Sequence, residues 1–384
     1  VIVGAGVIGL ACAYALQRSG ASVCVVEQHL PGSGQSTRTG GGIRLAQGSA
    51  INVELTRLSL PTWRNFAAEF GVDPQFHETG HLFISSVNPA TRTDTQSVPA
   101  QETGKSAYCG TTQSLDAATV QARWQALKHL RFNSAEYCET GGYLDHFKVI
   151  QGYQETLRRN GVEIRPGVRV ERLLSTGPRH QVCGVSTRQG DFSAAMVVNA
   201  AGAGAASVAT LAGLDIPFRS RRHELLIARA EFSGPKDVPW LIDVDRQVHL
   251  RPDGPGRALI GGFLGRDEVV DPDHYAREND RVWVRDVRIA AAKAFGLSDR
   301  NCKILSGWAG LYPGTADYLP VLELSKPGLI TAAGFSGVGL MHAPAIGQIV
   351  NGLTQGKPDE VMDISMLASS RFDQPSAARE KTGF

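Results

Sequence analysis

The run Val1-Ile2-Val3-Gly4-Ala5-Gly6-Val7-Ile8-Gly9 decides the fold. Three apolar, β-favouring residues read as a buried strand, and Gly4-x-Gly6-x-x-Gly9 follows with no intervening loop. Over residues 7–19 apolar side chains recur at helical spacing until Gly20 stops the pattern. Residues 22–26 read as a second strand, closed by Glu27. In this arrangement Gly4 permits the tight turn, Gly6 lets a pyrophosphate approach the backbone, and Gly9 lets helix and strand pack closely. The helix N-terminus offers amide donors and the positive end of its dipole to phosphates. Glu27 stands where an acid accepts hydrogen bonds from an adenosine ribose. A glycine-rich turn alone would be an ordinary strand-to-helix connection, whereas strand, helix, second strand and terminal acid together specify dinucleotide binding.

Two further strand ends run into small residues. One is Met196-Val197-Val198-Asn199 leading into Ala200-Ala201-Gly202-Ala203-Gly204, and the other is residues 328–333 leading into Gly334-Phe335-Ser336-Gly337-Val338-Gly339. Residues 343–353 then show helical periodicity. Each end read alone is close helix–sheet packing. Three together allow three close backbone approaches to one extended ligand, which favours FAD over a nicotinamide nucleotide. The last helix N-terminus suits the negative pyrimidine end of a reduced flavin.

The remaining composition sets limits. A chain of 384 residues, 42% hydrophobic, exceeds what one core usually organises, so two joined domains are expected. A net charge of +2 with both signs scattered argues against nucleic acid. No apolar run reaches the roughly 18 residues of a membrane span, and no signal-peptide pattern opens the chain. Six cysteines without a C-x-x-C pair suit a reducing cytoplasm. Residues 145–159 read as a helix capped by Asp145. Residues 80–86, 224–230, 249–251 and 257–263 alternate like strands, residues 88–114 read as an exposed loop, and the stretch after Ser369 reads as an arm or tail.

These motifs carry a resemblance over nearly the full length. Together with residues 36–44 (Ser-Thr-Arg-Thr-Gly-Gly-Gly-Ile-Arg) and residues 307–317 (Gly-Trp-Ala-Gly-Leu-Tyr-Pro-Gly-Thr-Ala-Asp), the sequence resembles the D-amino-acid oxidase superfamily of flavoproteins. Within it, the nearest branch holds sarcosine oxidases and their β subunits, glycine oxidase and proline dehydrogenase β subunits. The resemblance implies an α/β fold in which a discontinuous Rossmann-type FAD-binding domain (1–75, 145–215 and 301–384) joins a second, smaller antiparallel-sheet substrate domain (76–144 and 216–300). Gly4, Gly6, Ile8, Gly9, Glu27, Gln28, Ser36, Thr37, Gly41, Gly42, Val170, Ala201, Gly202, Gly310, Gly334, Gly337, Val338, Gly339, Leu340 and Met341 are the implied FAD contacts.

The implied reaction is oxidation of an amine or amino acid, with secondary, N-methyl, cyclic and D-amino acids as the substrate classes. It needs a C–H held near the flavin, a neutral amine and an orienting anchor. Arg44 is either that carboxylate anchor or a structural arginine. Tyr312 faces the flavin or fills a core. His249, where relatives place a tyrosine, either contacts the amine and accepts its proton near neutral pH or is an ordinary sheet residue. His342 and His223 are weaker candidates. Gly310 replaces the cysteine that relatives link to FAD, so the cofactor is expected to be non-covalent. Met341 replaces a carboxylate-binding lysine, and Leu259 and Ile260 occupy the neighbourhood of an oxygen-activating lysine. The acceptor is thus oxygen or another oxidant, with slow oxygen use expected unless a protonated His249 substitutes for the lysine. Two alternatives stay open: a tailoring oxidase of a larger amine, and a β subunit active only with a partner subunit.

Overall fold

In a computed structural model, residues 1–87, 111–230, 237–297, 302–357 and 360–373 are described. Most of the loop expected over 88–114, with Cys109, lies outside the described residues, although Gln113–Leu115 forms a strand.

The opening motif folds as its glycines require. Strand Ile2–Val3 leads directly into helix Val7–Arg18 and returns through strand Cys24–Glu27. These strands occupy the middle of a six-stranded sheet, in the order 321–326, 329–333, 197–199, 2–3, 24–27, 163–166. Its pairings are parallel except at the 321–326 edge. All three Gly-rich strand ends therefore leave the sheet on neighbouring parallel strands, the arrangement that gathers ligands at strand C-termini. Gly339–Thr354 is the last α-helix among the described residues; it starts ahead of the expected residue 343, because the buried run Leu340 to Ala343 gives no polar alternation from which periodicity could be read. It lies against the first helix so closely that a Cβ on Gly347 would sit 2.6 Å from the Ala11 carbonyl oxygen. Asp145 caps helix His146–Arg159, accepting from the Phe147 and Lys148 amides.

A nine-stranded sheet forms the second layer system. Its long strand Arg219–Ala230 pairs with Cys302–Gly314 on one side and with Arg257–Gly262 and Val269–Val270 on the other. Cys302–Gly314 falls in the stretch assigned from sequence to the cofactor domain, yet by pairing it belongs to this second sheet. The alternation of strand side chains divides the sheet's faces. Leu82, Ile84, Leu241, Val248 and Leu250 pack with helix Arg281–Phe295 in one core. His81, Trp240 and His249, the intervening residues, line a cavity on the other face.

A short antiparallel pair, Gly42–Arg44 with Gly141–Tyr143, sets Arg44 beside that cavity. The expected C-terminal arm is instead partly docked. Ser369–Asp373 forms a 3-10 turn whose Arg371 is paired with the buried Asp317 at 2.7 Å, while residues 374–384 lie outside the described set.

Candidate functional site

The first strand end is a preorganised cradle. A Cβ on Gly4 would stand 2.5 Å from the Ala200 carbonyl oxygen, and one on Gly9 would stand 1.9 Å from the Gly4 carbonyl oxygen, so no other residue fits without shifting backbone. Ser36 accepts a hydrogen bond from the Val7 amide at 2.9 Å, placing a hydroxyl at the helix N-terminus where a pyrophosphate would lie. The Glu27 carboxylate accepts from the amides of Ala5 (2.8 Å) and His29 (2.9 Å), which holds it at the mouth of the turn. These features fit a dinucleotide.

Beyond the cradle, two adjoining cavities open between the sheets. The first is lined by Ile8, Ser36, Gly202, Gly310, Gly334, Gly339 and Leu340, all expected from sequence. The second is lined by Gly42, Arg44, Val338 and Met341, together with Asn52, His81, Trp240 and Ile242. Tyr312, His249, Phe263 and Gly337 belong to both. A Cβ on Gly337, which has φ 91°, would meet the Tyr312 ring at 2.5 Å, so the terminal glycine turn and the tyrosine are packed as one unit.

The other sequence candidates have structural settings of their own. Thr37 donates its hydroxyl hydrogen to the Gly32 carbonyl, and Gly41, with φ 79°, lies where a Cβ would be 2.2 Å from the Leu144 carbonyl oxygen. Gln28 is exposed beside Glu27, and Ala201 stands in the turn between strand Val197–Asn199 and Gly202. Val170 begins the strand Val170–Thr176, whereas the backbone bond to the Glu27 carbonyl comes from Val168.

The structure places the two histidine candidates differently. His342 does not line either cavity: it is fully buried, with Nε2 3.1 Å from the Thr56 hydroxyl on helix Ala50–Phe70. Its place in the first helical turn turns the ring inward to the neighbouring helix. His249 does line both cavities, but burial, reinforced by the Arg251 and Arg44 charges, pushes its pKa down to about 3. That direction favours the neutral imidazole. His223 packs against Tyr312 with ring centroids 4.3 Å apart, and burial lowers its pKa to about 4.

Arg44 is 4% exposed and lies 5.8 Å from the Phe83 ring centroid. Gln47 bridges it to the last helix, donating to the Arg44 carbonyl at 2.7 Å and to the Met341 sulfur at 2.9 Å. The Met341 thioether thus helps to seat the loop bearing Arg44. Leu259 and Ile260 are buried and carry no charge to the site. Sequence reasoning missed His81, Trp240 and Asn52. The alternation around His81 was visible, but nothing local marked these residues as neighbours of Arg44.

Among the described residues no cluster of metal-ligating side chains occurs, and no helix is long and apolar enough to cross a membrane. The chain is 26% identical to a hydrogen cyanide synthase subunit, HcnC, of Pseudomonas aeruginosa, with 98% of this chain and 97% of that protein covered. It is 25% identical to a formaldehyde-forming 4-methylaminobutanoate oxidase of Paenarthrobacter nicotinovorans, covering 97% of this chain and 45% of that protein. Among solved structures it is similar to an L-proline dehydrogenase from P. horikoshii, with a TM-score of 0.81, 25% identity and coverage of 97% and 96%. Residues 1–353 match the model of the DAO family, described as FAD dependent oxidoreductase, and the chain belongs to that family.

Proposed function

We propose that this FAD-dependent oxidoreductase oxidises an amino acid or carboxylate-bearing amine, secondary, N-methyl, cyclic or D-configured, by removing a hydride from the carbon beside nitrogen. The observation that carries this reading is a buried arginine, Arg44, on a cavity wall that includes Tyr312 and His249 and, among the described residues, no aspartate or glutamate. A guanidinium in a desolvated pocket grips a carboxylate with two parallel hydrogen bonds and so fixes the substrate's orientation. The positive charge of Arg44 on the same wall disfavours an ammonium ion, so the amine is held in its neutral form, the one able to release a hydride. His249, neutral at physiological pH, serves as a hydrogen-bond partner for that amine. Burial keeps the Tyr312 phenol protonated, so it remains a donor at the junction of the two cavities. FAD, once bound, supplies the two-electron acceptor.

The relatives lend support, since one is a 4-methylaminobutanoate oxidase and another an L-proline dehydrogenase. The partner-subunit variant of the reading draws on the word subunit in the name of the Pseudomonas aeruginosa protein. With Leu259 and Ile260 in the core, no lysine lines the cavity among the described residues, and Arg44, its one cationic side chain, is engaged by the substrate carboxylate in this reading, which favours an acceptor other than oxygen.

The test is anaerobic addition of a panel of N-methyl, cyclic and D-amino acids to the FAD-loaded protein. Bleaching of the flavin absorbance by at least one is expected; bleaching by dithionite and by none of the amines would overturn the proposal. The cofactor is expected to be non-covalent, because the position relatives use for a cysteine is Gly310, whose Cβ would stand 3.0 Å from the Arg38 side chain. Acid precipitation should leave all colour in the supernatant, and flavin on the pelleted protein would refute this.

A further inference from the structure

Three residues that line the second cavity, Trp240, His81 and His249, carry a buried ring nitrogen without a hydrogen bond among the described residues. Trp240 Nε1 and His81 Nδ1 are buried without a hydrogen bond, and both residues line the cavity that holds Arg44. A buried N–H or ring nitrogen left unsatisfied is costly, and such groups concentrate where a ligand completes them.

The two rings are also rigidly held. Parallel pairing sets Trp240 directly opposite His81, and their rings stack at 5.6 Å with an interplanar angle of 19°. Arg251 approaches the indole, with its guanidinium carbon 5.7 Å from the ring centroid, while donating to the Gly40 carbonyl at 2.8 Å. The glycine run makes room for the indole: a Cβ on Gly40 would lie 2.6 Å from Trp240 Cη2, and one on Gly42 3.1 Å from Cζ3. Glycines 40 and 42 thus serve this tryptophan, beyond any approach to the cofactor. Side chains locked in this way are the mark of a preorganised recognition site.

We propose that Trp240 and His81 form a side-chain subsite for an uncharged group that both accepts and donates a hydrogen bond, a carboxamide or hydroxyl, on a substrate whose carboxylate is held by Arg44. The inference rests on the amine-oxidation reading above and narrows it to polar amino acids. Indole Nε1–H only donates, so it requires an oxygen acceptor on the ligand. A neutral imidazole receives or supplies the second hydrogen according to its tautomer. Arg44 is the one cationic side chain lining this cavity among the described residues, which leaves no ion partner for a second carboxylate.

Three achiral, nearly isosteric acids that lack the amine, and so cannot be oxidised, separate the alternatives: succinamate, succinate and 4-methylpentanoate. Calorimetric titration of each into the FAD-loaded protein reads binding without turnover. Succinamate is expected to bind about tenfold or more tightly than either of the others, the order of discrimination a hydrogen-bonding pocket shows against an analogue that leaves its groups unpaired. In Trp240→Phe, which keeps the ring but loses the N–H, the preference over 4-methylpentanoate should shrink to less than about threefold. Equal affinities in the wild-type protein, or tighter binding of 4-methylpentanoate or succinate, would overturn the subsite. Binding of none of the three, while amines still bleach the flavin, would overturn it and leave the amine-oxidation reading standing. Failure of every amine to bleach the flavin overturns that reading instead.

Discussion

Arg44→Ala is expected to lower kcat/KM for a carboxylate-bearing amine by roughly one and a half to three orders of magnitude while leaving FAD bound. Removing one partner of a desolvated, hydrogen-bonded charge pair costs about 2–4 kcal/mol, and each 1.36 kcal/mol is a factor of about ten. Arg44 is buried, faces a cavity without acidic side chains, and is seated by Gln47 against the last helix. Met341 supplies no second cation, so no other charge among the described residues of that wall takes over. The effect should be confined to substrates that carry a carboxylate; a decarboxylated analogue should lose far less. The check is steady-state kinetics with a substrate from the anaerobic panel and its decarboxylated counterpart. Equal losses for both, with a normal flavin spectrum, would show that Arg44 acts on the fold or the cofactor and does not anchor substrate.

Acidification is expected to unfold the protein steeply below about pH 6. Burial holds His249 and His342 at about 3, His223 and His146 at about 4, and His81 well below the ordinary value of 6.5. Nearby cations deepen the effect: Arg44 beside His81, His249 and His342, Arg251 beside His249 and His146, and Arg221 and Arg222 beside His223. In the unfolded chain these imidazoles take up protons as pH falls through 6.5, while in the native protein they do not. The unfolded state then binds more protons, so stability is complete above the unfolded pKa and is lost on the way down to the folded values. Each histidine contributes about 1.4 kcal/mol per pH unit in that window. Several acting together consume a typical folding free energy of about 5–15 kcal/mol within a few pH units. Tryptophan fluorescence and near-ultraviolet circular dichroism between pH 7 and 3.5 would follow the transition. A native signal persisting at pH 4 would contradict the burial of neutral imidazoles.

The opening βαβ unit was legible because everything that makes it is local. Turn, helix start and helix stop are written in consecutive residues, and the steric need for Gly4 and Gly9 arises within the unit itself and the adjoining strand. The three strand ends were legible for the same reason, as was the Asp145 cap. The histidines were not, since a lone histidine carries no local sign of the face it will occupy. His342 follows Met341 in the same helical turn, yet Met341 lines the cavity and His342 bonds Thr56 on another helix.

By itself, then, the sequence determined that the chain holds an FAD-type dinucleotide on a parallel sheet and that a cation follows a glycine run. Tertiary structure alone decided what that cation faces. Parallel pairing between strands far apart in the chain puts Trp240 beside His81, and antiparallel pairing brings His249 opposite Ile242. It also drew Cys302–Gly314, with Tyr312, into the second sheet. Such registers depend on which long-range pairing buries the most apolar surface, and a one-residue slip would send His81, Trp240 and His249 to the opposite face.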